Sequence, residues 1–257
     1  MKDVVLALRQ VRYENRAFWR NPPAAFFAFV FPLLFLVILN LLFGNDTISV
    51  EGGEVSTSTF YVPSIAALSI INACYTGLAQ TIVFARDEGQ LKRVRGTPLP
   101  AWAFLAGRVL HLTLVGILLV GIVVVFGAVF YDVDVPVDTL PAFAASVATG
   151  AAVFSTLGLA LSGLIPNADA APAVVNASIL PLLFISDIFI PLQDPPAWLD
   201  LLGDLFPVKH FSEALQTAFN PFQTGSGFEP AHLLVMAVWG VAGAVVALRT
   251  FSWEPRR

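Results

Sequence analysis

The sequence predicts an all-α polytopic membrane protein with six transmembrane helices, an N-terminal interfacial amphipathic helix, and re-entrant external helices between the fifth and sixth spans. Three observations carry that expectation. Apolar residues make up 57% of the 257 and charged residues only 12%, about half the roughly 25% charge of a soluble domain. Such a chain cannot cover a water-facing surface. The apolar residues come in long runs, and about twenty helical residues at 1.5 Å each cross the ~30 Å hydrocarbon core. Finally, thirteen of the fourteen Lys and Arg residues fall on one side of the resulting topology.

The runs lie at 24–43, 60–84, 102–130, 140–165, 171–191 and 232–248, within one transmembrane domain covering 1–257. Backbone polar groups inside lipid must be satisfied within the segment, which favours helices. Short alternating strands would indicate a barrel, and these runs are too continuous for that. The first run is broken only by Pro32 and Asn40, and no cleavable signal peptide is evident. Pro166, Asn167, Ala168 and Asp169 leave room for only a tight turn after the fourth run, so the fourth and fifth helices form a hairpin. No internal repeat relates the two halves.

Basic residues set the orientation. Lys2, Arg9, Arg12, Arg16 and Arg20 precede the first span. Arg86, Lys92, Arg93 and Arg95 fill the loop after the second, with Arg108 just inside the third. Arg249, Arg256 and Arg257 follow the last. The opposite loops carry Asp46, Glu51, Glu54, Asp132, Asp134 and Asp138, with no Lys or Arg. The positive-inside rule then places both termini in the cytoplasm.

Three segments are not simple spans. In 1–23, Val4, Leu8, Val11 and Phe18 recur at helical spacing, joined by Val5 and Trp19, with Arg9, Arg12 and Arg16 on the other side. That pattern suits a helix lying on an anionic membrane surface, ended by Pro22-Pro23. The loop 85–101 is short and dense in both charge signs, with an acidic start, a basic end and a Thr97-Pro98-Leu99-Pro100 stop. It reads either as a charged helix that docks on a soluble partner or as a solvated loop that only fixes orientation. In 192–229, Leu199, Leu202, Leu205 and Phe206 make one apolar side, opposite Asp200 and Asp204. Phe211, Leu215 and Phe219 make a second apolar side after Pro207. With Trp198 at headgroup level, these read as two short helices dipping into the outer leaflet.

Taken in this order, the segments resemble the type-2 ABC transporter permeases, particularly the drug and antibiotic-resistance exporters, over essentially the whole chain. Glu88, Gly89, Lys92, Arg93, Thr97, Pro98 and Leu99 fit the family's pattern between its second and third helices. Asn176, Pro181, Leu182, Phe184, Ser186 and Pro191 fit its fifth-helix pattern, although Asp187 stands where the family has Gly. Pro196, Trp198, Leu199 and Pro207 are similar to its re-entrant signature. The resemblance implies that 85–101 is a coupling helix gripping a separate ATPase, with Arg86, Asp87, Glu88, Gly89, Lys92, Arg93, Arg95, Thr97 and Pro98 as the coupling residues. It further implies two permeases, as a homodimer, with two ATPases in a bacterial inner membrane, and ATP and Mg²⁺ held by the partner.

The chain itself has no usual phosphate-cradling loop, because none of Lys2, Lys92 and Lys209 follows a G-x-x-x-x-G pattern. No catalytic residue, cofactor or nucleic-acid partner is expected. One cysteine, Cys74, rules out a multi-cysteine metal site, and His111, His210 and His232 lie in separate regions without metal-ligand spacing, so no metal is expected either. Polar side chains within spans are expensive and mark function or helix–helix bonds. Asn40, Asn72, Tyr75, Gln80, His111, Asn176 and Asp187 qualify. The resemblance implies a pathway lined by helices two and five, which singles out Asn72, Tyr75, Asn176 and Asp187. Residue chemistry alone leaves an ion-coupled secondary transporter or a non-transporting membrane anchor open. The cargo also stays open among drugs, lipids and lipid-linked glycans.

Overall fold

The computed structural model describes residues 2–44, 46–50, 52–97, 99–186, 188–189 and 196–254. Eleven α-helices lie among them: α1 Lys2–Trp19, α2 Pro22–Phe43, α3 Thr57–Ile71, α4 Leu78–Asp87, α5 Gln90–Arg95, α6 Ala101–Tyr131, α7 Leu140–Leu164, α8 Ala171–Phe184, α9 Ala197–Leu205, α10 Pro207–Phe219 and α11 Pro230–Thr250. Five helical segments are long and apolar enough to cross a membrane: Ala25–Phe43, Thr57–Asp87, Trp102–Tyr131, Leu140–Leu164 and Pro230–Thr250. The fifth expected span, 171–191, contains the fourteen-residue α8, which reaches about 21 Å and so falls short of the hydrocarbon core. Ile185, Ser186, Ile188 and Phe189 follow it as turns and bends, while Asp187 and 190–195 lie outside the described residues.

The second span is the hub. Thr57–Asp87 runs as one helix in which Asn72–Gly77 takes π-helical bonding between α3 and α4. It starts where the Ser56 hydroxyl accepts the Thr59 amide at 3.2 Å, satisfying one of the free N–H groups of the first turn. α3 is buried along almost its whole length, with α2, α6, α7 and α10 around it. α11 packs on the far side of α7. Lipid tails are as apolar as leucine, so helices in a bilayer associate through close fit rather than water exclusion. Glycines supply that fit. A methyl at Gly158 would sit 2.8 and 2.9 Å from the Tyr75 and Cys74 carbonyl oxygens. Gly240 and Gly243 let α11 approach Val153 and Leu157 of α7.

The fold differs from the sequence expectation in the first external loop. Thr47–Val50 (β1) and Gly53–Ser56 (β2) pair as an antiparallel hairpin, with Ile48 opposite Val55 and both buried. Gly52 turns the chain with a φ of +96°, a backbone angle open to glycine at little cost. The alternation Thr-Ile-Ser-Val and Gly-Glu-Val-Ser around it is a hairpin signal that the search for apolar runs passes over.

The amphipathic segments also divide differently. α1 lies along the start of α6, with Ala7 buried and a Gly107 that leaves room for Gln10. Phe18 packs edge-on to His111 at 5.7 Å. Val5, Leu8 and Trp19 stay exposed, so only part of the predicted apolar face meets protein. In α9, Trp198, Leu201, Leu202 and Leu205 are exposed. In α10, Phe211, Leu215 and Phe219 are fully covered by the bundle, so this helix is core rather than a lipid-facing element.

Three features meet at one end of the bundle: α1, the α5 knuckle, and the segment after α11, whose Trp253 packs near Phe104 at 6.5 Å. The N-terminus of α11 and the α9–α10 pair lie at the other end, a helix length of about 31 Å away. Gly158→Ala would force the α7 and π-turn backbones apart and cost about 1–3 kcal/mol, as overpacking does. This should appear as a lower melting midpoint in detergent. Gly121→Ala, where nothing lies within 4 Å, should leave the midpoint unchanged.

Candidate functional site

The polar chemistry collects in two places along the second span. The first is its end, where α4 turns into α5. Gly89 adopts a left-handed φ of +72° and lets the chain reverse out of α4. The six-residue α5 follows, with Lys92, Arg93 and Arg95 in its last turn, where they complement the helix dipole. Leu91 is fully buried against Ala85 and Phe104, with Val94, Leu99, Phe251 and Trp253 around it. Thr97 ends the helix by donating to the Val94 carbonyl at 2.7 Å and accepting the Leu99 amide at 3.3 Å. Pro98 lies outside the described residues.

One apolar pin therefore holds a short helix whose polar side chains face outward. Glu88, Gln90, Lys92, Arg93 and Arg95 are exposed. Gln90 donates to Glu88 at 2.7 Å, and Arg95 lies 3.9 Å from Glu254.

Arg86 and Asp87 behave differently from the rest of the predicted coupling set. Arg86 is 1% exposed. Its guanidinium donates to the carbonyls of Ser162 at 3.1 Å, Ile165 at 2.8 Å and Pro166 at 3.1 Å. The Ser162 carbonyl is one that the end of α7 leaves without a helical partner, and Ile165 and Pro166 begin the turn that follows. Asp87 holds the same guanidinium at 3.3 Å and accepts the Ala168 amide at 2.6 Å. The pair latches α4 to the turn after α7 and has little surface to give a partner. A second buried pair lies nearby. Arg108 of α6 contacts Glu14 of α1 at 3.2 Å and donates to the Thr81 carbonyl of α4 at 3.0 Å. In the sequence Arg108 reads only as a topology signal, and Glu14 is not distinguished from the other polar residues of its segment. The signal was there, since Ala7, Gln10, Glu14 and Phe18 share a helix face.

The second place is the π-helical turn. Asn72 and Tyr75, two of the predicted pathway residues, both lie in it. Insertions of this kind often mark functional positions in helices, because they leave a ladder bond unmade. The Tyr75 hydroxyl meets the Ser178 hydroxyl at 2.8 Å and so joins the second span to α8. Cys74 faces Thr113 at 3.9 Å. The Thr76 hydroxyl is buried without a bond partner among the described residues. Asn176, on α8, is exposed at the edge of the chain beside the equally exposed Leu180. Asp187 lies outside the described residues. The remaining polar residues serve helix contacts. Asn40 donates to Leu36 at 2.9 Å and accepts from Ser58, and His111 is buried under Phe18.

The far end corrects the reading of the histidines as separate. The loop 220–229 folds α11 back beside α10, and the Nδ1 atoms of His210 and His232 come to 2.8 Å. Lys209, the fourteenth basic residue, is also committed there, to Asp200, to Asp204 at 2.7 Å and to Glu213 at 3.9 Å. Burial alone would lower its pKa. The hydrogen bonds to Asp200 and Asp204 and the nearby Glu213 outweigh that and hold it above the usual lysine value. A cavity of about 470 Å³ opens between the β-hairpin and the end of α10, lined by Thr59, Phe60, Gln216, Asn220 and Phe222 among others.

The ABC-2 type transporter family pattern matches residues 8–220. The chain belongs to the ABC-2 type transporter family. It is similar to ycf38 of Porphyra purpurea, named a transport permease, with 26% identity over 204 residues, 79% of this chain and 69% of the relative. YvfS of Bacillus subtilis, also named a transport permease, is 21% identical over 198 residues, 77% of this chain and 79% of that one. YbhR of Escherichia coli K12, named a multidrug ABC transporter permease, is 23% identical over 154 residues, 60% of this chain and 42% of that one. The chain is thus an ABC transporter permease subunit, a multi-pass membrane component whose role is transport rather than catalysis.

The latch gives a direct test. Arg86→Ala leaves three carbonyls without their donor and should cost about 3 kcal/mol, in line with the loss of charge-assisted buried hydrogen bonds. Arg86→Lys should recover only part of this, since a single ammonium cannot span the same fork. Lys92→Ala on the exposed face should melt like wild type in the same detergent.

Proposed function

We propose that this permease is the membrane half of an exporter driven by a separate ATPase that binds ATP and Mg²⁺, two copies of each assembling around a shared pathway. The observation that carries this is the α5 knuckle: a short cationic helix pinned by Leu91, with Glu88, Gln90, Lys92, Arg93 and Arg95 free to meet a soluble partner. Its root is latched through Arg86 to the end of α7. Movement of a docked motor therefore reaches two spans at once rather than bending a loop.

The end that bears α1 and the knuckle is the cytoplasmic one in this reading. It gathers the basic residues, whereas Lys209 at the opposite end is neutralised by carboxylates. α9 and α10 are the outer re-entrant pair, and α9 offers its exposed Trp198, Leu201 and Leu205 to the outer leaflet. The pathway runs past the π-helical turn and α8, where Asn72, Tyr75 and the exposed Asn176 give sparse polar contacts within apolar walls. Such a lining suits an amphiphile with a large apolar body, drug-like or lipid-like. The naming of YbhR as a multidrug permease supports this reading. Asp187 belongs to the same proposed pathway.

Orientation and coupling are separately testable. In a Cys74→Ala background, Lys92→Cys should react with a membrane-impermeant maleimide only after the membrane is opened from the cytoplasmic side. Labelling in intact cells would overturn the topology. With the cognate ATPase reconstituted in vesicles, paired reversal of Glu88 to Lys and Arg93 to Glu should leave basal ATP turnover near wild type. Its stimulation by amphiphiles, and transport itself, should be abolished. Undiminished transport in that variant would remove the knuckle from the coupling path.

A further inference from the structure

The cluster between α10 and α11 does something that neither the transport cycle nor the family assignment requires. His210 and Glu213 are three residues apart on α10 and so share one face. His232 comes from the first turn of α11. The nearest ring atoms of the two histidines are both Nδ1, 2.8 Å apart, and His232 Nδ1 lies 3.3 Å from Glu213 Oε2. One ligand atom from each of the three residues falls within 4.8 Å of the other two. A tetrahedral ion with bonds of about 2.0–2.1 Å holds its ligand atoms about 3.3 Å apart. Opening the imidazole pair by about half an ångström reaches that spacing.

The surroundings prepare the donors. His210 Nε2 lies 2.8 Å from the Asp204 carbonyl. A carbonyl only accepts, so Nε2 carries a proton and Nδ1 is the ring atom turned toward His232. An imidazole oriented from behind by a backbone carbonyl is the usual outer support of a metal-bound histidine. The local charge also calls for a cation. Asp200, Asp204 and Glu213 all lie within 4 Å of the Lys209 ammonium. His210 is 9% exposed, while the His232 and Glu213 side chains are 27% and 31% exposed. The cluster is therefore held on the protein side and open to solvent on the other.

We infer that His210, Glu213 and His232 form a binding site for one divalent transition-metal ion, which clamps α10 to the start of α11. Two imidazoles and one carboxylate are a donor set suited to Zn²⁺, with water completing the tetrahedron. Calcium and magnesium prefer all-oxygen sites and do not match it. The inference does not depend on the direction or cargo of transport.

The test uses the full-length permease, purified in detergent through a tag without histidine and titrated with Zn²⁺ against a chromophoric chelator. Wild type should bind one ion per chain, and its melting midpoint should rise with Zn²⁺. His210→Ala and His232→Ala should each weaken binding by at least the roughly 10- to 100-fold that loss of even an outer support costs. They should also abolish the Zn²⁺-dependent rise in midpoint. His232→Cys, which offers a thiolate in the same place, should restore both. The Cys variant also guards against a loss of binding that only reflects misfolding. Co²⁺ in wild type should give the intense visible bands of a tetrahedral site, and these should vanish in Glu213→Gln. Absence of Zn²⁺ uptake by wild type would overturn the inference, as would equal uptake by wild type and the His210→Ala, His232→Ala double variant.

Discussion

The interaction on which the architecture most depends is the buried guanidinium of Arg86 under the end of α7. A helix end leaves carbonyls without partners, and in a membrane protein water is a poor remedy for them. Here one side chain from a neighbouring helix supplies three donors to Ser162, Ile165 and Pro166. Asp87 completes the arrangement by holding both the guanidinium and the amide of Ala168. The tight turn between α7 and α8 and the exit of the knuckle from α4 are thereby fixed against each other. A charged residue in a membrane-proximal loop reads most simply as a surface contact, and in this case it is the keystone of the interior.

The middle of the bundle solves a different problem. Without a hydrophobic force between helices, cohesion comes from close approach and a few polar bonds. Gly158, Gly240 and Gly243 bring α7 against the second span and α11 against α7. The π-helical turn sits where Gly158 approaches, and the Tyr75–Ser178 bond reaches α8 from the same turn. Tight backbone contact and irregular hydrogen bonding thus coincide on the one span that is buried nearly throughout.

Much of this was legible in the amino-acid order. The continuous apolar runs fix where five long helices lie, because the bilayer imposes a length and forbids unpaired backbone. The charge pattern around Gly89 and Thr97 leaves a short projecting helix and a solvated loop equally open, and the structure forms the helix, at Gln90–Arg95. Pairings between distant segments were not legible. The contact between His210 and His232 depends on how the loop 220–229 closes, and Glu14 finds Arg108 only once α1 lies on α6. The β-hairpin was overlooked for a different reason: strands of four residues are too short to register in a search tuned to twenty. Periodicity reports which face of a helix is apolar but not what covers it, so the covered α10 and the largely uncovered α9 look alike in sequence.

The two buried arginines have a joint mechanical consequence. Within six residues, α4 is tied to α6 and α1 through Arg108 at Thr81 and to α7 through Arg86. That end of the molecule is a braced block, and torque applied at the knuckle cannot be absorbed locally. The nearest break in regular helical bonding along that span is the π-helical turn. Under the proposed coupling, strain entering from the charged end would meet that irregular turn beside Tyr75, midway along the span rather than at its rim.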